Sequence, residues 1–267
     1  TASEAMEQTL EQTLTPESVA KVKDSVGKTV AAVKNKQPFP DFVAELDHLC
    51  KDGSTVCAEI RTSGIYDADG NFIGIVGVSR DITERKKSEE KIRYMAQHDS
   101  LTGLPNRALF ADRLQQALSY CKRHQRALAV MLLDLDKFKP VNDRYGHAVG
   151  DAVLVQVAER LRQNLRAGDL LARIGGEEFL IALPDIALAE ARSIAERLCS
   201  MMSDAPFDIG QGRALHVTLS IGLAISEGGS APAHLDSVTE IVDRADRALM
   251  RSKAAGRNQV TIGRSAA

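Results

Sequence analysis

Three scarcities in this 267-residue sequence each argue against a class of protein. Its four cysteines are scattered and form no closely spaced pair of metal ligands, so we expect buried, reduced thiols. The formal net charge is −2, which disfavours a nucleic-acid partner because such proteins usually carry an excess of Lys and Arg. No run of about eighteen apolar residues is present, so no membrane-spanning helix is predicted in this sequence.

The start of the chain lacks a charged segment followed by an apolar stretch, so no signal peptide is predicted. With 44% apolar and 26% charged residues, the composition is that of a soluble protein. We expect a cytoplasmic protein, or the cytoplasmic part of a larger one that is anchored in a membrane upstream of Thr1. The length favours two domains.

The first part of the chain combines polar helical stretches with a predicted β-hairpin. Its strands are residues 56–63 and 72–79, and the segment 67–71 between them has the composition of a turn. Residues 81–97 follow, highly charged and free of Gly and Pro, and are predicted to form a connecting helix. A thin apolar stripe leaves coiled-coil pairing of this helix open.

From about residue 98 onward, predicted strands and helices alternate, which indicates a sheet with helices packed on it. Residues 127–134 are an apolar run that ends in Asp134, as expected for a strand buried on both faces. Gly175-Gly176 lies between two short strands and predicts a second hairpin. The other predicted strands are residues 170–174, 179–183 and 215–225, and the predicted helices are residues 153–165, 187–202 and 238–255.

Acidic side chains are expected at one edge of this sheet. Asp134 ends its strand where open α/β sheets bind ligands, and Glu177 and Glu178 follow the glycine pair at a tight bend. Adjacent like charges are costly unless a cation neutralises them, and carboxylates are ligands that Mg²⁺ takes alongside substrate phosphates. The alternatives are a solvated acid at the strand end and an acidic surface turn.

Other polar residues have the chemistry to hold a nucleotide. Lys253 and Arg257 lie four residues apart near the end of a predicted helix, where they would bind phosphate or simply complement the helix dipole. Asn142 and Asp151 bracket a Tyr-Gly-His turn and would hydrogen-bond to a guanine edge or cap helices. The residues alone therefore indicate a metal-dependent phosphoryl- or nucleotidyl-transfer enzyme.

Several ordered motifs resemble the GGDEF family of diguanylate cyclases. They are Asp99-Ser100-Leu101-Thr102-Gly103-Leu104-Pro105-Asn106-Arg107, Asp134-Leu135-Asp136-Lys137-Phe138-Lys139, Asn142-Asp143, Tyr145-Gly146-His147, Gly150-Asp151, Arg173-Ile174-Gly175-Gly176-Glu177-Glu178-Phe179, and Lys253 with Gly256-Arg257-Asn258. The resemblance implies an α/β, palm-like nucleotide-cyclase fold with a mostly antiparallel sheet of about five strands and flanking helices. It also implies that two GTP molecules are joined into cyclic di-GMP, with release of pyrophosphate.

The same resemblance implies a role for each matching residue. Mg²⁺, or Mn²⁺ as an alternative, would be held by Asp134, the Leu135 carbonyl, Glu177 and Glu178. Glu177 would also accept the proton of the attacking 3′-hydroxyl, with Glu178 assisting. Guanine would be bound by Asn142, His147 and Asp151, and the terminal phosphates by Lys253, Arg257 and the amides near Lys137 and Phe138. Each domain would bind one GTP, so catalysis requires a homodimer.

A regulatory site is implied as well. Arg166-Ala167-Gly168-Asp169 resembles the family's RxxD site, at which the product cyclic di-GMP inhibits the enzyme. An Arg guanidinium binds phosphate through two hydrogen bonds and stacks on a base. Arg197, on the following predicted helix, is the implied secondary arginine. A charged turn between helix and strand is the alternative.

The first part of the chain resembles the second half of a PAS sensor domain, through residues 48–54, Asp69-Gly70, residues 74–78 and Asp81-Ile82-Thr83-Glu84-Arg85. Two opening strands are not evident, so we expect a truncated PAS domain over residues 1–84 with an open sheet edge. A helical linker, residues 85–98, and a GGDEF domain, residues 99–267, would follow.

Two alternatives to a GTP cyclase are less consistent with the sequence. A degenerate domain would only bind cyclic di-GMP at Arg166 and Asp169, but such domains usually lack acids or glycines that this chain retains. An enzyme that also used ATP would make a mixed dinucleotide, which Asp151 at the guanine-binding position disfavours.

Overall fold

The computed structural model describes residues 8–34, 37, 40–210, 212–226 and 237–263. The chain divides into two compact units, Thr1–Arg93 and Tyr94–Ala267. Within the described residues, no helix has both the length and the apolar character needed to cross a membrane.

The first unit contains a three-stranded antiparallel sheet in the order β1-β2-β3. Its elements are α1 (Leu10–Thr13), α2 (Pro16–Lys34), β1 (Phe42–Leu49), β2 (Thr55–Tyr66), β3 (Phe72–Asp81) and α3 (Thr83–Gln97), the last of which continues into the second unit. The predicted hairpin is confirmed as β2 and β3. Its turn is held by the Asp67 carboxylate, which accepts hydrogen bonds from the amides of Asp69 and Asn71.

Strand β1 was not predicted, so the sheet has one strand more than the sequence indicated. Leu46 is the one buried residue of β1, and it packs in a small core with Leu14 and Val19. The neighbouring positions carry Glu45 and Asp47, which are not buried. A strand with a single buried side chain has too weak an apolar alternation to be recognised from its sequence.

The second unit is an α/β structure around a five-stranded sheet in the order β10-β9-β4-β6-β5. Its elements are α4 (Arg107–Arg123), β4 (Leu128–Leu135), α5 (Phe138–Tyr145), α6 (His147–Gln163), β5 (Leu170–Arg173), β6 (Glu178–Pro184), α7 (Leu188–Asp204), β7 (Phe207–Asp208), β8 (Ala214–Leu215), β9 (Leu219–Ser226), α8 (Val238–Ala254) and β10 (Val260–Ile262). Only the β9–β10 pair is parallel. The predicted mostly antiparallel sheet with flanking helices is confirmed.

Strand β4 lies at the centre of this sheet, and every one of its residues is buried. Its odd-numbered residues from 129 to 135 pack with residues of α6 and α7, and its even-numbered residues from 128 to 132 pack with α4 and α8. A strand covered on both faces needs apolar residues in succession, which is why its run could be recognised from the sequence.

The single strand predicted over residues 215–225 is wrong in its first part. Leu215 belongs to β8, which pairs with β7 in a separate two-stranded sheet, and β9 begins only at Leu219. Leu219 is opposite Leu135, the last residue of β4. The Asp136 amide still donates to the Thr218 carbonyl at 2.9 Å, but the chain then turns away at Lys137, whose φ of 54° is left-handed. Residues 216 and 217 therefore have no strand residue opposite them.

Helix α8 lies directly on β9 at Gly222. A Cβ atom on Gly222 would be 2.0 Å from the Ala245 carbonyl oxygen and 2.3 Å from the Leu249 nitrogen. Both atoms belong to the helix backbone, so only glycine allows this approach. Further along the helix, the Ser252 hydroxyl donates a hydrogen bond to the Ile221 carbonyl at 2.9 Å and fixes the position of α8 along the strand.

Candidate active site

Acidic residues meet where β4 ends and β6 begins. Asp134, which is only 7% exposed, is opposite Glu178 across the β4–β6 pair. The Leu135 amide donates to the Glu177 carbonyl at 3.2 Å and joins the turn to β4. Lys253, in the last turn of α8, places its Nζ 2.8 Å from Asp134 Oδ2. The lysine therefore does more than complement a helix dipole.

The acids of this edge share a partly buried, negatively charged environment. Burial raises the pKa of Asp134, and the Lys253 ammonium opposes that rise. Burial likewise raises the pKa of Glu177, and the negative charge of Asp134 raises it further. Carboxylates whose pKa is raised for these two reasons are typical of functional sites. A bound cation would stabilise their ionised forms.

The donor set fits Mg²⁺ shared with a substrate better than a metal held by the protein alone. Among residues that the structure describes, no three His, Cys, Asp or Glu side chains come together as a metal-binding group. Mg²⁺ usually binds through one or two carboxylates together with substrate phosphates and water. Asp134 and Glu177 supply such a pair, and the Leu135 carbonyl and Glu178 flank them on the same strand ends.

The glycine turn is anchored by Arg173, a residue to which the sequence assigned no role. Its Nη1 lies 2.9 and 3.1 Å from the two carboxylate oxygens of Asp99, and its Nη2 donates to the Gly176 carbonyl at 2.7 Å. The segment that begins at Asp99 is therefore joined to the turn that carries Glu177. The sequence shows a charged residue just before the glycine pair, but it does not show its partner Asp99, which lies 74 positions away.

The residues predicted to bind guanine lie on two successive helices. Asn142 is inside α5, whose N-cap is Lys137, and Asp151 is inside α6, whose N-cap is Gly146, so the helix-cap alternative is wrong for both. A Cβ on Gly150 would be 1.9 Å from Asn142 Oδ1. The missing side chain at Gly150 thus makes room for the Asn142 carboxamide. His147 is the first residue of α6.

Two of the predicted phosphate-binding residues, Lys137 and Arg257, have left-handed backbone. Lys137 precedes Phe138 at the start of α5 with φ of 54°, and Gly256, Arg257 and Asn258 have φ of 120°, 67° and 45°. Such a run is rare outside glycine and persists only where the surroundings hold it. The positive charge of Arg257 lowers the pKa of Asp134, although less than Lys253 does.

The predicted inhibitory residues form a charged turn between α6 and β5. Arg166 Nε lies 2.9 Å from Asp169 Oδ1, and Arg166 Nη2 donates to the Pro184 carbonyl. Arg197 donates to the Asn164 carbonyl at 3.1 Å. Arg166 and Asp169 line a pocket of about 360 Å³, and Arg197 is not among its lining residues. The pocket has two further arginines in its wall that the sequence did not indicate, Arg113 and Arg162.

Comparison with known proteins identifies two families in the chain. Residues 96–259 match the family described as "Diguanylate cyclase, GGDEF domain", and residues 2–84 match the PAS domain family. The chain is 42% identical over 223 residues to the diguanylate cyclase TpbB of Pseudomonas aeruginosa, a match that covers 79% of this chain and 50% of TpbB. The chain spans about half or less of the length of the curated relatives it matches.

Solved structures show the same fold. The GGDEF domain of DgcB from Caulobacter crescentus, solved in complex with c-di-GMP, matches with a TM-score of 0.59 and 32% identity, over 64% of this chain and 94% of that one. The active GGEEF domain of a diguanylate cyclase from Vibrio cholerae matches with a TM-score of 0.54 and 30% identity, over 60% and 98%. The GGEEF sequence for which that domain is named is found here at residues 175–179.

Proposed function

We propose that this chain, a member of the GGDEF family of diguanylate cyclases, condenses two GTP molecules into cyclic di-GMP. A PAS domain precedes its GGDEF domain. The observation that carries the proposal is the convergence of Asp134, Glu177 and Lys253 at one strand end, beside an intact GGEEF turn. The proposed boundaries are residues 1–84 for the PAS domain, 85–98 for the linker and 99–267 for the cyclase domain.

GTP would be bound by two groups of residues, one that contacts guanine and one that contacts the terminal phosphates. Asn142 and Asp151, with His147 beside them, would hydrogen-bond to guanine, because an amide and a carboxylate together match its donor and acceptor edge. Lys253, Arg257 and the amides of Lys137 and Phe138 would hold the terminal phosphates. The lysine already lies beside the acids, so a nucleotide bound in this way would place its α-phosphate near Glu177.

The family depends on a divalent metal, which we propose to be Mg²⁺, with Mn²⁺ as an alternative. Asp134, the Leu135 carbonyl and Glu177 would hold it, with Glu178 assisting. When bound, it stabilises negative charge on the attacking and leaving oxygens.

Glu177 would act as the proton acceptor. The 3′-hydroxyl of one GTP loses its proton to this carboxylate and attacks the α-phosphorus of the second GTP, and the bond to the bridging oxygen breaks to release pyrophosphate. The 3′-hydroxyl of the second GTP then attacks the α-phosphorus of the first in the same way, which releases a second pyrophosphate and closes the ring. A raised pKa brings a carboxylate closer to the operating pH, which favours proton transfer. Because each domain supplies one GTP, the active species is a homodimer, and the use of GTP supports a cytoplasmic location.

The test is incubation of the purified full chain with GTP and Mg²⁺, with products identified by mass spectrometry. We expect cyclic di-GMP and pyrophosphate, at a rate per chain that rises with protein concentration until dimers predominate. Absence of product at every concentration, after removal of bound nucleotide, would contradict the proposal.

We further propose that cyclic di-GMP inhibits the enzyme at Arg166 and Asp169, with Arg197 supporting the turn. Replacement of Arg166 by Ala should leave the initial rate unchanged and raise the product concentration needed for half-inhibition by about tenfold or more, because charge-assisted phosphate contacts are lost. Inhibition curves measured with added cyclic di-GMP check this prediction. Arg192→Ala, which removes an exposed arginine on α7 paired with Glu196, is the matched control. An unchanged curve for Arg166→Ala would exclude this site.

Replacement of Gly150 by Ala should raise the KM for GTP by about tenfold while leaving the fold intact, because the new methyl group displaces the Asn142 carboxamide. The displaced atoms are the end of a rotatable side chain, and alanine favours the helix, so the melting temperature should change little. Steady-state kinetics and thermal melts measure both effects. Gly27→Ala, a helical glycine with no atom within 4 Å of the added Cβ, is the control. An unaltered KM for Gly150→Ala would contradict a guanine contact from Asn142.

A further inference from the structure

Asp136 carries a buried charge for which neither the sequence nor the proposed reaction supplies a role. It directly follows β4 and is 8% exposed. Its carboxylate accepts three hydrogen bonds, from Thr218 Oγ1 at 2.7 Å, Ser220 Oγ at 2.7 Å and the Asn258 amide at 3.0 Å. It forms no ion pair with any residue that the structure describes. A buried carboxylate is costly, so these three donors are what keeps it in place.

The Asn258 amide belongs to the loop that presents Arg257. This loop is fastened to α8 by the Arg257 amide, which donates to the Ser252 carbonyl at 3.0 Å, and to β9 by the Gln259 carbonyl, which accepts from the Ile221 amide at 3.0 Å. Neither bond reaches β4. The bond from Asn258 to Asp136 therefore ties the loop to the strand that carries Asp134.

We propose that Asp136 is a positioning residue: its carboxylate holds the left-handed loop at residues 256–258 so that Arg257 is set at a fixed place relative to Asp134. The inference rests on the proposed function, because it assigns Arg257 to the triphosphate. The two positive φ values at Arg257 and Asn258 are disfavoured for residues with a Cβ, so the loop relaxes once the tie to Asp136 is removed.

The chemistry of the three donors explains why a carboxylate stands here. The hydroxyls of Thr218 and Ser220 can either donate or accept, but the peptide N–H of Asn258 can only donate. An asparagine at position 136 can keep an oxygen toward Asn258 if the Ser220 hydroxyl turns to accept from the new amide. Asp136→Asn should therefore fold and retain a weaker tie, whereas Asp136→Ala leaves the Asn258 amide without an acceptor.

The inference is tested by calorimetric titration of the full chain with a GTP analogue that has a methylene group between its α- and β-phosphates, and separately with guanosine. Asp136→Ala should weaken binding of the analogue by about tenfold, the loss of one charge-assisted hydrogen bond, and leave guanosine binding unchanged. Asp136→Asn should give an intermediate loss, and it preserves the measurement if the alanine variant does not fold. In an Arg257→Ala background, Asp136→Asn should cause little further loss, because both changes disable the same contact.

Ser220→Ala is the matched control, since it removes a 2.7 Å hydrogen bond to the other oxygen of the same carboxylate without touching the loop. Its affinity for the analogue should stay close to that of the wild type. Equal losses for analogue and guanosine, or an undiminished effect of Asp136→Asn in the Arg257→Ala background, would overturn the inference alone. A wild-type chain that binds neither ligand would overturn the proposed function, and this inference with it.

Discussion

Replacement of Glu177 by Gln will reduce the rate of cyclic di-GMP formation by roughly 10³- to 10⁴-fold, because the amide accepts no proton and brings no negative charge to a metal. Asp134→Asn should have an effect of the same order for the second reason alone. Product is quantified by mass spectrometry after incubation of each purified variant with GTP and Mg²⁺ at several protein concentrations. Turnover that survives in Glu177→Gln would mean that another group accepts the proton.

We expect Glu177→Gln not to lower the stability of the folded protein, so a loss of rate can be assigned to catalysis and not to misfolding. Burial and the charge of Asp134 raise the pKa of Glu177 above its value in the unfolded chain. Its ionised form is therefore less favourable in the folded protein, and the contribution of Glu177 to stability falls as the pH rises from its unfolded pKa towards its higher folded pKa. A neutral glutamine removes that penalty, so Glu177→Gln should melt no lower than the wild type at neutral pH. Glu196→Gln, an exposed acid on α7, should change neither rate nor melting temperature.

Replacement of Gly222 by Ala will destabilise the cyclase unit by about 3 kcal/mol or more, out of a total stability on the order of 5–15 kcal/mol. The added methyl group meets the Ala245 carbonyl and the Leu249 nitrogen, which cannot rotate away as a side chain would. Strand β9 cannot yield either, because β4 and β10 pair with it on both sides. A fall in melting temperature of about 10 °C or more, or failure to obtain folded protein, is expected.

Gly168→Ala is the control for this prediction, because no atom lies within 4 Å of its added Cβ and its φ is not left-handed. Calorimetric melts of both variants make the comparison. Similar melting temperatures for Gly222→Ala and the wild type would mean that α8 and β9 can separate without loss of packing.

The elements predicted best from the sequence are those whose surroundings require a recognisable local sequence pattern. Strand β4 could be identified because burial on both faces requires an unbroken apolar run, and the second hairpin because a glycine pair separates two short apolar segments. Strand β1 could not be identified, because a strand with one buried residue shows no periodicity. The break between β8 and β9 could not be identified either, because β8 has only two residues. The predicted α/β class survives these errors because the central strands determine it.

The site shows the same limit more sharply. Asp134 and Glu177 could be proposed from strand ends and turn chemistry, and the resemblance supplied the guanine- and phosphate-binding residues. Arg173 and Asp136 could not be assigned a role, because their partners are far away in the chain. The Arg173–Asp99 bond spans 74 positions and the Asp136–Asn258 bond spans 122. No local pattern encodes such a bond, although both residues stand inside motifs that had been recognised.

The strand order of the central sheet also determines when the site comes into being as the chain folds. Asp134 is on the middle strand, and its neighbours Glu178 and Ser220 are supplied by strands that follow only after intervening helices. Contacts between segments so distant in the chain form late, since long loops must close before the pairing repays their entropy. We therefore expect the helices that carry Lys253 and Asn142 to form before Asp134 and Glu178 are brought together. The chain acquires its reactive centre in the same event that closes its core.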